Sequence, residues 1–170
     1  MLCYDLRAIE AKAVTVDDTL NADDAVWIEG DPTPVHAVHV HGRLSTAGTG
    51  RYYFSGHLSG ETTVSCRRCL SDFAAPVDEE VHVVFAGDEL SDDADGDVYP
   101  IDPGAIELDL RPAIREEWLL AAPAYALCRP DCQGLCAQCG ADKNLGPCQC
   151  APRVDPRWSA LAGLPRTDAQ

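Results

Sequence analysis

Residues 52–59, Tyr52-Tyr53-Phe54-Ser55-Gly56-His57-Leu58-Ser59, sort onto two faces. Tyr52, Phe54, Gly56 and Leu58 fall on one side and Tyr53, Ser55, His57 and Ser59 on the other, the period-two pattern of a half-buried strand. Upstream, Val35 to Leu44 alternates around Val38 and Val40. Gly48-Thr49-Gly50 breaks the chain between the two runs, so together they read as a hairpin. Downstream, the second arm continues through Thr62 and Val64 into Cys66. A third arm then alternates Val77, Glu79, Val81, Val83 and Phe85 with Asp78, Glu80, His82 and Val84. Cys66-Arg67-Arg68-Cys69 thus occupies the turn joining two antiparallel strands.

Around this sheet the signals are sparser. The first thirty residues read as a short strand followed by a short helix or irregular excursion reaching Trp27-Ile28. Two prolines in Glu29-Gly30-Asp31-Pro32-Thr33-Pro34 exclude helix interior and central strand, leaving a turn or linker. From Gly87 to Tyr99 the chain is acidic and small, with no base, and reads as a solvated loop. Ile106, Leu110, Ile114 and Trp118 recur at i+4, with Leu119 and Leu120 widening the stripe, which predicts an amphipathic helix over about 104–122 that Pro123 ends. Pro112 is tolerated if the regular helix starts near Leu110. Past the cysteines, Trp158, Leu161, Ala162 and Leu164 suggest one short apolar turn, and residues 165–170 a frayed end.

The chain of 170 residues carries a formal net charge of −15, and the imbalance lies in residues 1–127. Such a body repels phosphate backbones, so a basic protein partner is electrostatically easier than nucleic acid, and any RNA contact is local. The start, MLCYDLRAIE, has neither a basic nor an apolar export region, and no run approaches the roughly 20 apolar residues of a membrane span. The expected location is cytoplasmic, where thiols stay reduced.

That bears on the cysteines. Nine are present, and eight of them cluster: Cys66 and Cys69, then Cys128, Cys132, Cys136, Cys139, Cys148 and Cys150. Residues 128–151 have almost no large apolar side chains beyond Leu135 and Leu145, so burial cannot offset the entropy of ordering them, about 1 to 2 kcal/mol per residue. Metal can: one zinc contributes roughly 10 kcal/mol of folding free energy. Cys136-Ala137-Gln138-Cys139-Gly140 reads as a zinc knuckle with Cys148-Gln149-Cys150 as its partner, leaving Cys66, Cys69, Cys128 and Cys132 as a second set. The spacing also permits a single zinc on Cys132, Cys136, Cys139 and one tail cysteine, so one or two ions are expected. The predicted architecture is α+β: an antiparallel sheet with one main amphipathic helix in an acidic body, 1–127, and a zinc-ordered cysteine-rich tail, 128–170.

Four sulfurs leave no coordination position for water, and no Glu or His lies beside either set as a general base, so the sites read as structural and the protein as no enzyme. No phosphate-loop, dinucleotide or Gly-x-Ser-x-Gly fingerprint is present, and no small-molecule substrate is expected. An iron- or dithiol-based redox protein is the alternative from another class. His39 and His41 share a strand face and can chelate, but with no fixed acidic or histidine partner they read as solvated, as do His57 and His82. Arg67, Arg68 and Arg129, with Lys143, are the candidates for contact with RNA phosphates.

Ser65-Cys66-Arg67-Arg68-Cys69-Leu70, then Leu108-Asp109-Leu110, Glu116-Glu117-Trp118-Leu119-Leu120-Ala121, Pro123, Cys128, Cys132 and Gly134-Leu135-Cys136-Ala137-Gln138-Cys139-Gly140-Ala141-Asp142 with Asn144-Leu145 resemble the YceD family of large ribosomal RNA subunit accumulation proteins. The match runs over about residues 60–155. It implies a cytosolic bacterial, non-enzymatic factor for accumulation of the large-subunit rRNA, with ribosomal proteins or 23S rRNA precursors as partners. Family members without the second knuckle exist, which supports treating Cys66, Cys69, Cys128 and Cys132 as a separate site. Ala137 departs from the commoner proline.

Overall fold

In the computed structural model, which describes residues 1–87, 98–151 and 157, the chain runs β1 (Cys3–Asp5), α1 (Leu6–Ala11), β2 (Val14–Leu20), β3 (Val38–Thr46), β4 (Arg51–Ser65), β5 (Asp72–Ala86), β6 (Val98–Pro100), β7 (Glu107–Asp109) and α2 (Arg111–Ala121). Five strands form one sheet in the order β2-β3-β4-β5-β6, and β1 pairs with β7 in a separate antiparallel pair. The expected hairpin is β3–β4, with Leu44 opposite Phe54 and Val40 opposite Leu58. Its alternation holds: Val38, Val40, Leu44, Tyr52, Phe54 and Leu58 are buried, and on β5 so are Val77, Val81, Val83 and Phe85. That face packs with Ile9 of α1, Leu108 of β7 and Ala113, Ile114 and Trp118 of α2 in one core.

Strands β4 and β5 are each 15 residues long and pair from Arg51–Ala86 to Ser65–Asp72. β3 covers β4 only as far as Ser59, so the last six residues of β4 and their partners on β5 run on as a two-stranded ribbon. Pro76 is tolerated on this ribbon because it lies where β5 has no second neighbour. Two glycines sit behind it, opposite each other on β3 and β4. A Cβ on Gly42 would lie 2.5 Å from the Gly56 Cα and one on Gly56 2.4 Å from the His41 carbonyl oxygen, so the strands approach there as only glycine allows.

The segment expected as a turn or linker begins in a turn and is clasped on both sides. Val35 N donates to the Glu61 carbonyl (2.7 Å), and the buried Thr62 hydroxyl donates to the carbonyls of Pro32 and Thr33. From the other side, Trp118 Nε1 donates to the same Pro32 carbonyl (2.8 Å) and Arg115 grips Asp31 with two bonds of 2.7 and 2.8 Å. Hydrogen bonding from Arg115 holds the Asp31 carboxyl below its usual range. Residues 31–35 therefore tie α2 to the ribbon.

Four expectations are corrected. Helix α2 begins at Arg111, not near 104: Pro112 stands at its first turn, and the proline ring would clash with the carbonyl of Leu108 if the helix included it. Residues Glu107–Asp109 pair with β1 instead, burying Leu108 and leaving Ile106 72% exposed. The N-terminal excursion contains a full strand, β2, after an α1 capped by Asp5, whose carboxylate accepts from Arg7 N and Ala8 N. The sheet is mixed, because β6 lies parallel to β5. Its register sets Val98 beside Val84, so the chain retraces only about two residues, roughly 7 Å. Finally, the histidines do have fixed acidic neighbours, Asp17 at His39 and Asp78 at His57, each at 2.9 Å. The acidic run from Asp88 to Asp97 and the apolar turn at Trp158–Leu164 lie outside the described residues.

Candidate functional site

Two turns of the same construction dominate the far end of the ribbon. In the first, between β4 and β5, Leu70 N donates to the Cys66 carbonyl (2.9 Å), Cys66 N to the Ser71 carbonyl (2.9 Å) and Arg68 N to Cys66 Sγ (3.5 Å). In the second, Gly140 N donates to the Cys136 carbonyl (2.9 Å), Cys136 N to the Ala141 carbonyl (2.8 Å) and Gln138 N to Cys136 Sγ (3.4 Å). Both need a left-handed residue right after the second cysteine, which is Gly140 at φ 72° in one and Leu70 at φ 60° in the other. Leucine adopts this conformation at a cost of about 1–2 kcal/mol. Because Leu70 is also 66% exposed, Leu70→Gly is expected to keep the fold and raise stability by about 0.5–1 kcal/mol after glycine's own entropy cost. Thermal melting of the variant checks this.

Each turn faces two further cysteines. The sulfurs of Cys66, Cys69, Cys128 and Cys132 all lie within 4.8 Å of one another, as do those of Cys136, Cys139, Cys148 and Cys150. All nine cysteines are free. Cys66 Sγ stands 3.8 Å from Cys132 Sγ and Cys69 Sγ 3.7 Å from Cys128 Sγ, far beyond a disulfide bond. Four sulfurs at about 2.3 Å from one ion form a tetrahedron with an edge of about 3.8 Å, so the first set fits a metal of that size. Of the two partitions open in the sequence, the geometry brings together the two-set one. Cys3, on β1, stands apart.

Hydrogen bonding and burial push the thiols of each set in opposite directions. Backbone amides of Cys128, then Cys69 and Arg68, lower the Cys66 thiol to about 6. The Ser71 hydroxyl, 2.9 Å from Cys69 Sγ, lowers Cys69 as well. Cys128, desolvated by burial and crowded by Cys66 and Cys69, is pushed up to about 12. In the second set the amides of Cys139 and Gln138 lower Cys136 to about 6, while hydrogen bonding with Cys139 and burial push Cys150 up to about 12. Four crowded thiolates repel one another, and a divalent ion at their centre would supply the missing charge.

Arginines stitch the two halves of the first set. Arg67 donates from Nε to the Ala124 carbonyl (2.7 Å) and covers the Tyr125 ring at 4.8 Å. Arg68 reaches the carbonyls of Cys132 (2.9 Å) and Pro130 (3.5 Å), and its own carbonyl accepts from Leu135 N. Arg129 donates to Asn144 Oδ1 (2.8 Å). The three arginines expected at RNA phosphates thus sit together and are each engaged within the chain, whereas Lys143 stands exposed beside Gln133 and Pro147.

Sequence reasoning passed over Asn144. Its Oδ1 also accepts from Gln133 N (2.7 Å), while Nδ2 donates to Asp142 Oδ1 (2.6 Å) and to Cys132 Sγ (3.5 Å). One side chain thus links the first set to the bridge Leu135–Asp142 that opens the second. The available signal was the Asp142-x-Asn144 spacing, an Asx turn closed by Asn144 N on Asp142 Oδ1. Ser71, equally unforeseen, is legible only once Cys69 is read as a candidate ligand.

Comparison with known proteins places the site within a family match. A family model described as "Large ribosomal RNA subunit accumulation protein YceD" matches residues 54–165. An uncharacterised Mycobacterium tuberculosis protein is 31% identical over 111 residues, 65% of this chain and 54% of that one. The chain therefore spans about half the length of the mycobacterial relatives it matches. Bacillus subtilis YlbN is 26% identical over 167 residues, covering 97% of this chain and 95% of its own. A Zea mays protein named "Large ribosomal RNA subunit accumulation protein YCED homolog 1, chloroplastic" is 39% identical over 59 residues, 34% of this chain and 20% of that one. No solved structure matches.

Proposed function

This chain belongs to the YceD family, and from that premise we propose that it is a non-enzymatic factor for accumulation of large-subunit ribosomal RNA, acting in ribosome biogenesis in the cytoplasm. The observation that carries the reading is the gathering of eight cysteines into two closed sets of four. A set of four sulfurs has the donors of a structural zinc site, and zinc would fasten residues 128–151 to the tip of the β4–β5 ribbon. Zinc held this way orders the backbone and has no position for a reacting water.

Charge indicates what the ordered surface meets. With a net charge of −15, the chain is suited to basic ribosomal proteins, and RNA precursors come within reach through those proteins or through Lys143. Among the described residues no helix is long and apolar enough to cross a membrane. The experiment is affinity capture of the tagged chain from lysate over a salt series, with metal analysis of the same preparation. The expected result is two zinc ions per colourless chain and large-subunit ribosomal proteins that are lost as salt rises. Recovery of naked ribosomal RNA without any ribosomal protein at raised salt would sink the protein-partner reading. A visible absorption band and iron in place of zinc would turn the sites toward electron transfer.

A further inference from the structure

The solvent face of the sheet carries a second concentration of metal-ligating side chains, on the opposite principle from the first: imidazole instead of thiolate. His39 and His41 project from the same face of β3, and His57 lies directly opposite His41 on β4. The three rings stack in a row, His39 to His41 at 5.8 Å and His41 to His57 at 5.6 Å between centroids, over an open groove. Asp17 and Asp78 line the same groove.

A carboxylate stands beside each outer ring. An ionised carboxylate accepts hydrogen bonds and does not donate, so an imidazole nitrogen hydrogen-bonded to it carries the proton. Asp17 Oδ1 is 2.9 Å from His39 Nε2, which leaves the lone pair of His39 on Nδ1. Asp78 Oδ1 also stands 2.9 Å from His57 Nδ1, on the opposite edge of that ring from Nε2. Between them, His41 makes no side-chain hydrogen bond or ion pair among the described residues. A carboxylate on the far nitrogen of a histidine is the arrangement that orients imidazoles toward metals and raises their basicity.

We propose that His39, His41 and His57 form a third metal site, for a late first-row divalent ion such as Zn²⁺, Ni²⁺ or Cu²⁺, oriented by Asp17 and Asp78 and bridging β3 to β4. Imidazole ligands select these ions over Mg²⁺ and Ca²⁺, which prefer oxygen. The carboxylates argue against an anion in the same groove, since both would repel it. Unlike the sulfur sets, the rings are not yet gathered on one point; being on the solvent side, they turn about their side-chain torsions to meet the ion, and water completes its shell. The site is independent of the cysteines, which lie at the other end of the ribbon.

The test uses the full chain with its cysteine sites loaded with zinc, and Ni²⁺ as the probe. Titration is expected to add one Ni²⁺ per chain without loss of zinc, and to broaden the ring-proton resonances of His39, His41 and His57. His41→Gln with His57→Gln lowers the Ni²⁺ affinity at least tenfold while zinc content and melting temperature stay unchanged, which separates loss of the site from loss of the fold. Asp78→Asn, which leaves all three ligands in place, weakens binding by about tenfold. Absence of Ni²⁺ binding at tens of micromolar, binding that survives the double substitution, or entry of Ni²⁺ with release of zinc each overturns the proposal. Failure of the cysteine reading would show earlier, as failure to load zinc.

Discussion

Removing the metal from zinc-loaded protein with a strong chelator is expected to release residues 128–151 while the sheet stays folded. The two halves of the molecule are stabilised by different means. Phe54, Leu58, Val81, Val83 and Trp118 are buried in a core that needs no ion. The tail has Leu145 89% exposed and, between residues 128 and 151, no helix and no strand beyond the Leu135–Asp142 bridge. Its buried positions are Cys132, Gly134 and Cys136. Each structural zinc contributes about 10 kcal/mol or more of ordering free energy, so its loss exceeds anything the tail's own contacts can offset. Amide hydrogen exchange before and after chelation gives the readout: protection lost across 128–151 and retained across β3, β4 and β5. Retained protection in the tail, or loss across the whole chain, contradicts it. Single substitutions divide the effect. Cys148→Ser is expected to free only the second set, whereas Cys132→Ser opens the first set and detaches the tail from the ribbon, because Cys132 Sγ is joined to Cys66 Sγ and Asn144 Nδ2.

How far the sequence foretold this depends on whether a feature is local. The β3–β4 and β4–β5 pairings were readable because Tyr52 to Ser59 and Val77 to Phe85 alternate at the strand period and one face is buried throughout. The cysteine knuckle at 66–69 was readable for the same reason, as the turn between two such arms. Features set by distant partners were not. Ile106 and Leu110 fit a helical stripe with Ile114 and Trp118, and only the pairing of Glu107–Asp109 with β1 shows that the chain is strand between them. The same holds for residues 31–35, whose two prolines announce irregular backbone but not that Thr62 and Trp118 would hold it from two sides. The acidic partners of His39 and His57 come from β2 and β5, 22 and 21 residues away in sequence. At the cysteines, spacing narrowed the partition to two possibilities, and folding of the ribbon tip against the chain leaving α2 selects one.

Trp118→Ala is expected to produce the largest loss of stability from any single change in the body. Trp118 is fully buried, meets Trp27 edge-on at 6.4 Å and fills the space over Gly60, where an added Cβ would lie 3.0 Å from its ring. Truncation removes the ring, opens a cavity and costs about 3–5 kcal/mol, a substantial part of the 5–15 kcal/mol that holds a typical domain together. For a chain of this size that lowers the melting temperature by roughly 10 °C or more. The damage should travel. Trp118 holds α2 to the Pro32 carbonyl, and α2 delivers the chain through Pro123 to Ala126, whose carbonyl accepts from Arg67 N at the knuckle (3.1 Å). Loosening the helix therefore loosens the approach of Cys128 to Cys66 and Cys69, and zinc should leave the first set at lower chelator concentration than the second. Trp118→Phe separates the two contributions. It keeps most of the apolar ring and gives up the Nε1 donor, but the Pro32 carbonyl still accepts from the Thr62 hydroxyl (3.1 Å), so no buried acceptor is orphaned and the cost should fall to about 1 kcal/mol plus a small packing defect. Melting curves and chelator titrations on the three proteins check the ordering: wild type, then Phe, then Ala, with zinc release from the first set following the same order. If Ala melted like the wild type, or released zinc equally from both sets, the helix would not be the strut that connects the core to the cysteines.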